Sequence, residues 1–416
     1  MGRKKRIMTP DIDLIHNLLQ AIMLIPFLHL LNQYIFKKIK QKHDFFSASL
    51  MNKLFYYHLV FAGIYYTYAF FNPSDSKRYF SVPGKEGKTW SGFLETGTSF
   101  IDFLSYPFIN FFGFSYEMMM LLFSWIGFMG FVYAYLFFKE NIAINIKIFK
   151  KIDFLILILF LPNMHFWTAS LGKGAPIFLG LMLFAYALRK PKNRIFSLSL
   201  GSLLVFAIRP HMFLLLAGAG MLSIFINKNQ ISLKQKAIFV GAITGVLLLF
   251  HKQILDVVNL GSSQNLIADF LSFTENRAQS LDNATSGVPM TDYSLIEKFF
   301  TFWFRPLFFD APGILGVIVS IENFIYLLLF GKLFKKSFFG FLKTAPGHVK
   351  LSLILFFTTS FAMTFVMSNL GIILRQKSMI MYFLFFVIYY FLAYEKDTVF
   401  RLKQEVTGRK TLAEAA

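Results

Sequence analysis

Three polar segments interrupt the apolar runs of this sequence, and each of them contains basic residues. They are Leu161–Gly174 with Lys173, the turn Arg209-Pro210-His211, and Ser368–Met379 with Arg375 and Lys377. A guanidinium presents a planar fork that matches phosphate oxygens, and an ammonium supplies a compact positive charge. If these cations meet at one place in the fold, they would suit a phosphate or diphosphate group.

Other polar residues could complete a site around these cations. Arg305 stands in Phe304-Arg305-Pro306, and Glu322 lies inside an apolar run, where we expect it to pair with a cation or to hold a proton. His211 has a side chain that can take a proton from a hydroxyl group near neutral pH. The candidate catalytic residues are Arg209, His211 and Arg375, and the candidate substrate-binding residues are Lys173, Arg305, Lys377, His165, Trp167 and Glu322.

A carboxylate is the alternative base. Asp102 lies in the amphipathic stretch Phe100–Phe112, and Asp75 precedes it in the same long linker. An Asp-x-Asp pair, Asp11 and Asp13, stands before the first apolar run, but three residues are a weak signal for a metal. The chain has no cysteine, and no two histidines have metal-ligand spacing, so we expect neither a metal nor a cofactor.

The composition indicates a membrane protein. Of the 416 residues 56% are hydrophobic and 15% are charged, whereas soluble domains are about half apolar and about a quarter charged. Long apolar runs recur over the whole length, as transmembrane helices require. The net charge of +20 does not indicate a nucleic-acid partner, because most of the basic residues fall in short linkers between apolar runs.

We therefore predict an all-α fold, a polytopic transmembrane helical bundle of about 10–12 spans. We place apolar spans near 14–35, 53–71, 117–137, 153–165, 175–189, 196–208, 211–226, 237–250, 312–331, 351–367 and 379–394. Lysines and arginines concentrate in alternate linkers, which the positive-inside rule assigns to the cytoplasm. Lys173, Arg209 and Arg375 then lie near the opposite, outer face.

The chain is expected to form a single integral membrane domain, residues 1–416. Two long periplasmic loops, 72–116 and 251–311, are expected to hold interfacial helices, and residues 395–416 form a cytoplasmic tail. Part of the second loop, 251–298, could cap a cavity as a lid.

The first span does not fit the alternation of charge. Basic residues lie on both of its sides, at Arg3–Arg6 and at Lys37–Lys42. Either the N-terminus is outside, or 14–35 is a hairpin or an interfacial segment broken at Pro26. The spans 153–165 and 196–208 are also short for a hydrocarbon core of about 30 Å. They either extend through their prolines or end inside the bilayer.

Several of these segments together resemble the integral-membrane polysaccharide polymerases of bacterial surface-glycan clusters, the EpsG-like and O-antigen-polymerase-like proteins. The resemblance rests on Phe166–Lys173, Arg209-Pro210-His211, Phe304-Arg305-Pro306 followed by Glu322, and Asn369-Leu370-Gly371 with Arg375. It implies a metal-independent site that faces the periplasm, in a protein of the bacterial inner membrane. It also implies a polyprenyl-diphosphate-linked glycan as substrate, in exopolysaccharide, capsule or O-antigen synthesis. Partners would be the lipid bilayer and glycan-export or chain-length proteins.

Three other functions stay open at this point, and one of them is that of a structural partner in an envelope complex. The first is a glycosyltransferase of the GT-C type that uses a polyprenyl-monophosphate sugar, with Asp102 or Asp75 as the base. The second is a glycolipid flippase or transporter, which needs a polar path between the two faces of the membrane. The apolar inner halves of the spans disfavour the transporter.

Overall fold

The computed structural model describes residues 12–84, 88–226, 287–311 and 313–414, with isolated positions between 237 and 280. The helices of these ranges are α1 Ile12–Lys40, α2 Ala48–Phe71, α3 Asp75–Ser81, α4 Thr98–Asn110, α5 Tyr116–Asn141, α6 Phe154–Leu159, α7 Pro162–Thr168, α8 Gly174–Ala187, α9 Ile195–Ile208, α10 Pro210–Ile226, α11 Leu295–Phe304, α12 Gly313–Phe330, α13 Lys336–Thr344, α14 Gly347–Thr364 and α15 Leu370–Glu414. Among the described residues the strands are confined to an antiparallel hairpin, β1 Lys147–Ile148 and β2 Ile152–Asp153. The prediction of an all-α protein is confirmed.

Four helical segments are long and apolar enough to cross a membrane, within the part of the chain that the structure describes. They are Asp13–Lys40, Tyr116–Asn141, Gly313–Leu333 and Leu370–Thr398. A helix rises about 1.5 Å per residue, so about 20 residues match the hydrocarbon thickness. Three further helical segments are apolar but shorter than this length, namely Phe154–Thr168, Gly174–Ala187 and Pro210–Leu222. These helices fit a multi-pass membrane protein, while 237–250 falls almost wholly outside the described residues.

The first helix runs through its proline. α1 is continuous over 29 residues with Pro26 inside it, so a hairpin broken at Pro26 is wrong. A proline removes one backbone donor, and its ring crowds the preceding turn. Apolar helices nevertheless tolerate it where neighbouring groups satisfy the backbone.

The two short predicted spans end at their prolines. α6 ends before Phe160, and α7 starts at Pro162. α9 ends at Ile208, and α10 starts at Pro210. Proline suits the first position of a helix because its missing N–H would have no partner inside the helix. Each proline therefore starts a new helix and does not kink an existing one.

The long linkers contain helices as expected. Residues 72–116 form α3, a short 3-10 helix Trp90–Phe93 and α4. The end of the second linker forms α11, whose first turn has a capping box between Ser294 and Glu297. The proposed lid is 251–298, and its first part, 251–286, lies outside the described residues except for isolated positions.

The contacts divide the chain into two compact units. The first contains Met1–Val132 and His165–Leu179, and the second contains Tyr133–Met164 and Gly180–Ala416. In the first unit α1 packs on α2, where Gln33 donates to Asn52 at 2.8 Å. In the same unit α5 passes close to the end of α7 at Gly127.

The second unit is organised around α15. The apolar part of this helix is packed by α14, α11, α12, α13 and α6. Its tyrosines reach neighbouring backbone, since Tyr382 donates to Ile158 O at 3.1 Å and Tyr389 donates to Ile144 O at 3.2 Å. α15 begins nine residues before the predicted span at 379, so Arg375 and Lys377 lie in the helix and not in a polar break. The predicted tail from residue 395 continues the helix to Glu414.

Candidate functional sites

Helix α4 holds Asp102 against the interior of the first unit. Its buried residues are Phe100, Ile101, Asp102 and Ser105, which recur at helical spacing. Trp90 stacks on Phe103 with ring centroids 5.3 Å apart and donates to the Phe103 carbonyl at 3.0 Å. At the C-terminal end of α4, Asn110 donates to Pro83 O at 3.0 Å. These contacts hold the middle and the C-terminal end of the helix and therefore orient Asp102.

The carboxyl group of Asp102 is buried but incompletely hydrogen-bonded. The residue is 1% exposed, and its Oδ2 lies 3.6 Å from Arg78 Nη2. Its Oδ1 is buried and accepts no hydrogen bond from the residues that the structure describes. Burial raises the pKa of Asp102 to about 6, although Arg78, Lys88 and Lys173 each act to lower it. A carboxyl group with this pKa is ionised at neutral pH and can still take up a proton.

Lys173 belongs to the same unit and lies in the turn between α7 and α8. The following glycine is required by packing, because a Cβ on Gly174 would lie 2.2 Å from the Trp167 carbonyl oxygen. A Cβ on Gly127 would lie 2.2 Å from the Thr168 carbonyl oxygen. The backbone around Lys173 is therefore held by two close approaches that only glycine allows. The glycine beside Lys173 has a structural reason that does not involve phosphate binding.

His165 forms a buried pair with His58. Their Nδ1 atoms are 2.8 Å apart, and His58 Nε2 lies 3.0 Å from the Ser124 carbonyl oxygen. A carbonyl oxygen only accepts, so His58 Nε2 donates, and in a neutral ring Nδ1 then accepts from His165. Phe131 stacks on His165 with ring centroids 4.0 Å apart. The pair joins α2 to α7 inside the first unit. Trp167, two residues on, is half-buried beside Tyr65.

In the second unit Glu322 is fully hydrogen-bonded. Its Oε2 accepts from the Asn163 backbone N–H at 2.8 Å, and its Oε1 accepts from Tyr326. The Asn163 side chain donates to Ser378 Oγ at 2.5 Å. The carboxylate thereby caps the first turn of α7 and ties α7, α12 and α15 together.

Lys377 is also committed to backbone groups. Its ammonium is completely buried and donates to Trp303 O at 3.2 Å and to Arg305 O at 2.9 Å. These carbonyls end α11, where a positive charge is favourable. Arg305 donates from Nε to Asp310 Oδ2 at 2.6 Å, and Asp310 Oδ1 accepts from the Leu307 N–H at 2.5 Å. The structure thus brings Arg305, Glu322 and Lys377 into one connected region.

Arg209 and His211 lie at the break between α9 and α10. Arg209 is 6% exposed and leaves the helical conformation at φ −144°, ψ 81°, as expected for a residue before proline. Its carbonyl accepts from the Met212 N–H at 2.9 Å and starts the next helix. His211 is half-buried in the first turn of α10, and Arg375 is half-buried in α15. Arg209, His211 and Arg375 all belong to the second unit, whereas Asp102, His165, Trp167 and Lys173 belong to the first.

Sequence reasoning missed Arg78 and His58. Arg78 is the one arginine of the linker 72–116, and its presence on the expected outer side was a usable signal. His58 gave no signal, because a lone histidine in an apolar run is common. Among the described residues no three histidine, aspartate or glutamate side chains are grouped closely enough to hold a metal ion.

Comparison of the chain with protein-family models, with curated proteins and with solved structures finds no match. The function is therefore inferred from the geometry within each of the two units and from the chemistry of their buried charges.

Proposed function

We propose that this protein is a membrane glycosyltransferase that transfers or polymerises glycans bound to a polyprenyl phosphate or diphosphate. The reaction takes place at the periplasmic face of the bacterial inner membrane, in the synthesis of a surface polysaccharide. The observation that carries the proposal is Asp102, a buried carboxylate with one oxygen that accepts no hydrogen bond from the described residues and with basic residues around it.

Asp102 acts as the general base in this reaction. It accepts the proton of the acceptor hydroxyl as that oxygen forms a bond to the anomeric carbon of the donor sugar. The bond from the anomeric carbon to the phosphate oxygen breaks, and the lipid phosphate leaves with the electron pair. Arg78 and Lys173 stabilise the negative charge that develops on the leaving phosphate. Cations already placed beside the phosphate do this with less reorganisation than water molecules would need.

Arg78 is suited to uncover the carboxylate when the donor binds. Its side chain is 49% exposed, whereas that of Asp102 is 2% exposed. At 3.6 Å their contact is longer than a strong charge-assisted hydrogen bond of about 2.7–2.9 Å. A phosphate therefore competes readily for the guanidinium, and its binding frees the second carboxylate oxygen for the acceptor.

A second arrangement assigns the chemistry to Arg209 and His211. Arg209 is almost completely buried at a break between two helices, where its guanidinium is shielded from water. In this arrangement Arg209 and Arg375 hold the diphosphate, and His211 is the base. Both arrangements describe glycosyl transfer, but they differ in the residue that takes the proton.

The test is a chromosomal deletion complemented with variants. The lipid-linked glycan that accumulates is extracted and its mass measured, which distinguishes a monophosphate from a diphosphate carrier. With Asp102 as the base, Asp102→Asn leaves the intermediate uncleaved and His211→Ala behaves as wild type. The reverse result would move the base to His211.

The side of the membrane on which the intermediate accumulates separates a transferase from a flippase. For a transferase, Asp102→Asn leaves the glycan on the periplasmic side, where an added impermeant glycosidase removes it. Protection of the glycan from the glycosidase would contradict the proposal and indicate a flippase.

A further inference from the structure

A groove that is lined by neither Glu322 nor Arg209 lies on the second unit. Its walls are the β1–β2 hairpin, α13 with the turn before it, and the stretch of α15 around Leu392–Thr398. Its volume is about 1230 Å³. Pockets for small molecules measure about 300–1,000 Å³, so the groove is larger than a small metabolite needs.

The charge of the groove is strongly positive. Its lining includes Lys147, Lys332, Lys335, Lys396 and one acidic residue, Glu395. Glu395 is neutralised within the wall, because Lys335 donates to it at 2.5 Å and Ser337 donates to it at 2.9 Å. The remaining lysines give the groove an excess of positive charge, which an anionic ligand would complement.

Aromatic side chains stand beside these lysines. Phe149 and Tyr394 line the groove and are 45% and 40% exposed. Helix α13 is amphipathic, with Phe338 and Phe341 buried and Phe339 exposed on its other side. Exposed aromatic rings next to lysines are typical of segments that lie at the boundary between lipid headgroups and acyl chains.

We propose that this groove binds the phosphate-bearing headgroup of an anionic phospholipid, with the first part of the acyl chains against Phe149 and Tyr394. Clustered lysines between helices bind acidic lipid headgroups through charge and through hydrogen bonds to phosphate oxygens. All four lysines come from linkers, or the start of the tail, that the charge bias assigns to the cytoplasm, where the leaflet is rich in anionic lipids. A bare phosphate would use the lysines but leave the aromatic wall and most of the volume unused.

Position 340 offers a direct probe of the groove. Gly340 lines it, and a Cβ there meets no atom within 4 Å. Because the chain has no cysteine, Gly340→Cys supplies a single thiol for a fluorophore. The labelled full-length protein in neutral detergent is titrated with brominated phosphatidylglycerol, with brominated phosphatidylcholine and with glycerol phosphate as competitor. We expect quenching by the first lipid only, and no displacement by glycerol phosphate at equal concentration.

Charge variants test the lysines. A triple variant should weaken phosphatidylglycerol binding roughly a hundredfold when it combines Lys147→Gln, Lys332→Gln and Lys396→Gln. Replacement of the same three lysines by arginine should keep the affinity within about threefold of the wild-type value. The matched control removes the same charge from exposed lysines outside the groove, by Lys151→Gln, Lys192→Gln and Lys343→Gln, and should bind as wild type. Equal loss in the control, equal quenching by phosphatidylcholine, or full competition by glycerol phosphate would each overturn the proposal.

Discussion

Each of the two units buries a carboxylate that the sequence had singled out, and the two carboxylates differ in the hydrogen bonds that their oxygens accept. Glu322 of the second unit accepts a backbone N–H and a tyrosine hydroxyl, one on each oxygen. Asp102 of the first unit faces one half-exposed arginine and has a buried oxygen that accepts nothing from the described residues. Hydrogen bonds offset the cost of burying a carboxylate, whereas an oxygen left without a hydrogen bond adds a cost that calls for an explanation, and a catalytic role is one such explanation. The comparison favours a structural role for Glu322 and makes Asp102 the stronger candidate for the proposed chemistry.

The largest effect is expected when each carboxylate is replaced by its amide. Asp102→Asn should lower the transfer rate about a hundred- to ten-thousand-fold, because an amide cannot take the proton, and should leave the protein folded. Glu322→Gln should instead lower stability and leave the rate nearly unchanged. The new NH2 group would face a hydrogen-bond donor, Asn163 N–H or the Tyr326 hydroxyl, at a position where a carboxylate oxygen accepted a hydrogen bond. We expect it to cost about 1–3 kcal/mol of stability at nearly unchanged rate. Thermal unfolding in detergent and a turnover assay measure both quantities, and matching effects in the two variants would remove the distinction.

Arg209 decides whether the second unit also takes part in the chemistry. If its guanidinium grips a diphosphate by two contacts, Arg209→Lys and Arg209→Ala should both abolish long glycan chains while the protein still accumulates. The expected loss is about a hundred- to a thousand-fold in rate, as for removal of one transition-state donor. Glycan length on a gel and the amount of protein in membranes are the measurements. Normal chain length in Arg209→Lys would make Arg209 structural and leave the first unit as the sole site of chemistry.

A smaller and graded effect is expected from pH. Burial raises the pKa of Asp102 to about 6, so the proton stays on the carboxyl to a higher pH than on an ordinary aspartate. The base form is therefore lost as the pH falls through 6, and the rate should drop about tenfold per pH unit below it. Arg78→Gln removes a cation that lowers this pKa, so the midpoint of the profile should move upward. A rate that is constant from pH 5 to pH 7 would exclude Asp102 as the base.

Much of the fold could be predicted from local sequence. Apolar runs predicted the positions of α5, α8, α9, α10 and α12 to within a few residues, because helix length and apolarity are local properties. Pro210 stands between two predicted spans, and α10 starts at it, whereas Pro162 fell inside the predicted span 153–165, which the structure divides into α6 and α7. α15 was predicted too short, because Arg375 and Lys377 were interpreted as part of a polar break between spans. A helix can nevertheless bury a lysine when the ammonium group caps the end of a neighbouring helix, as Lys377 does for α11.

The candidate site was only partly predictable. Asp102 was identified from its amphipathic surroundings, yet the main prediction favoured Arg209 and His211, whose place beside a proline gave the clearer pattern. Arg78 and His58 were missed, since each gains its meaning from a partner that is distant in the chain. Pairing of that kind has no periodicity and leaves no local signal.

The sequence by itself determined that this protein is helical, that several of its helices are apolar enough to cross a membrane, and which residues are charged within apolar surroundings. These follow from side-chain transfer energies and helix geometry, which act residue by residue. Tertiary structure alone decided which charged groups have hydrogen-bond partners. Glu322 and Lys377 form hydrogen bonds with backbone groups, whereas one oxygen of Asp102 accepts no hydrogen bond from the described residues. The reason is that hydrogen bonds form over about 3 Å between atoms, and only the folded chain brings distant residues that close.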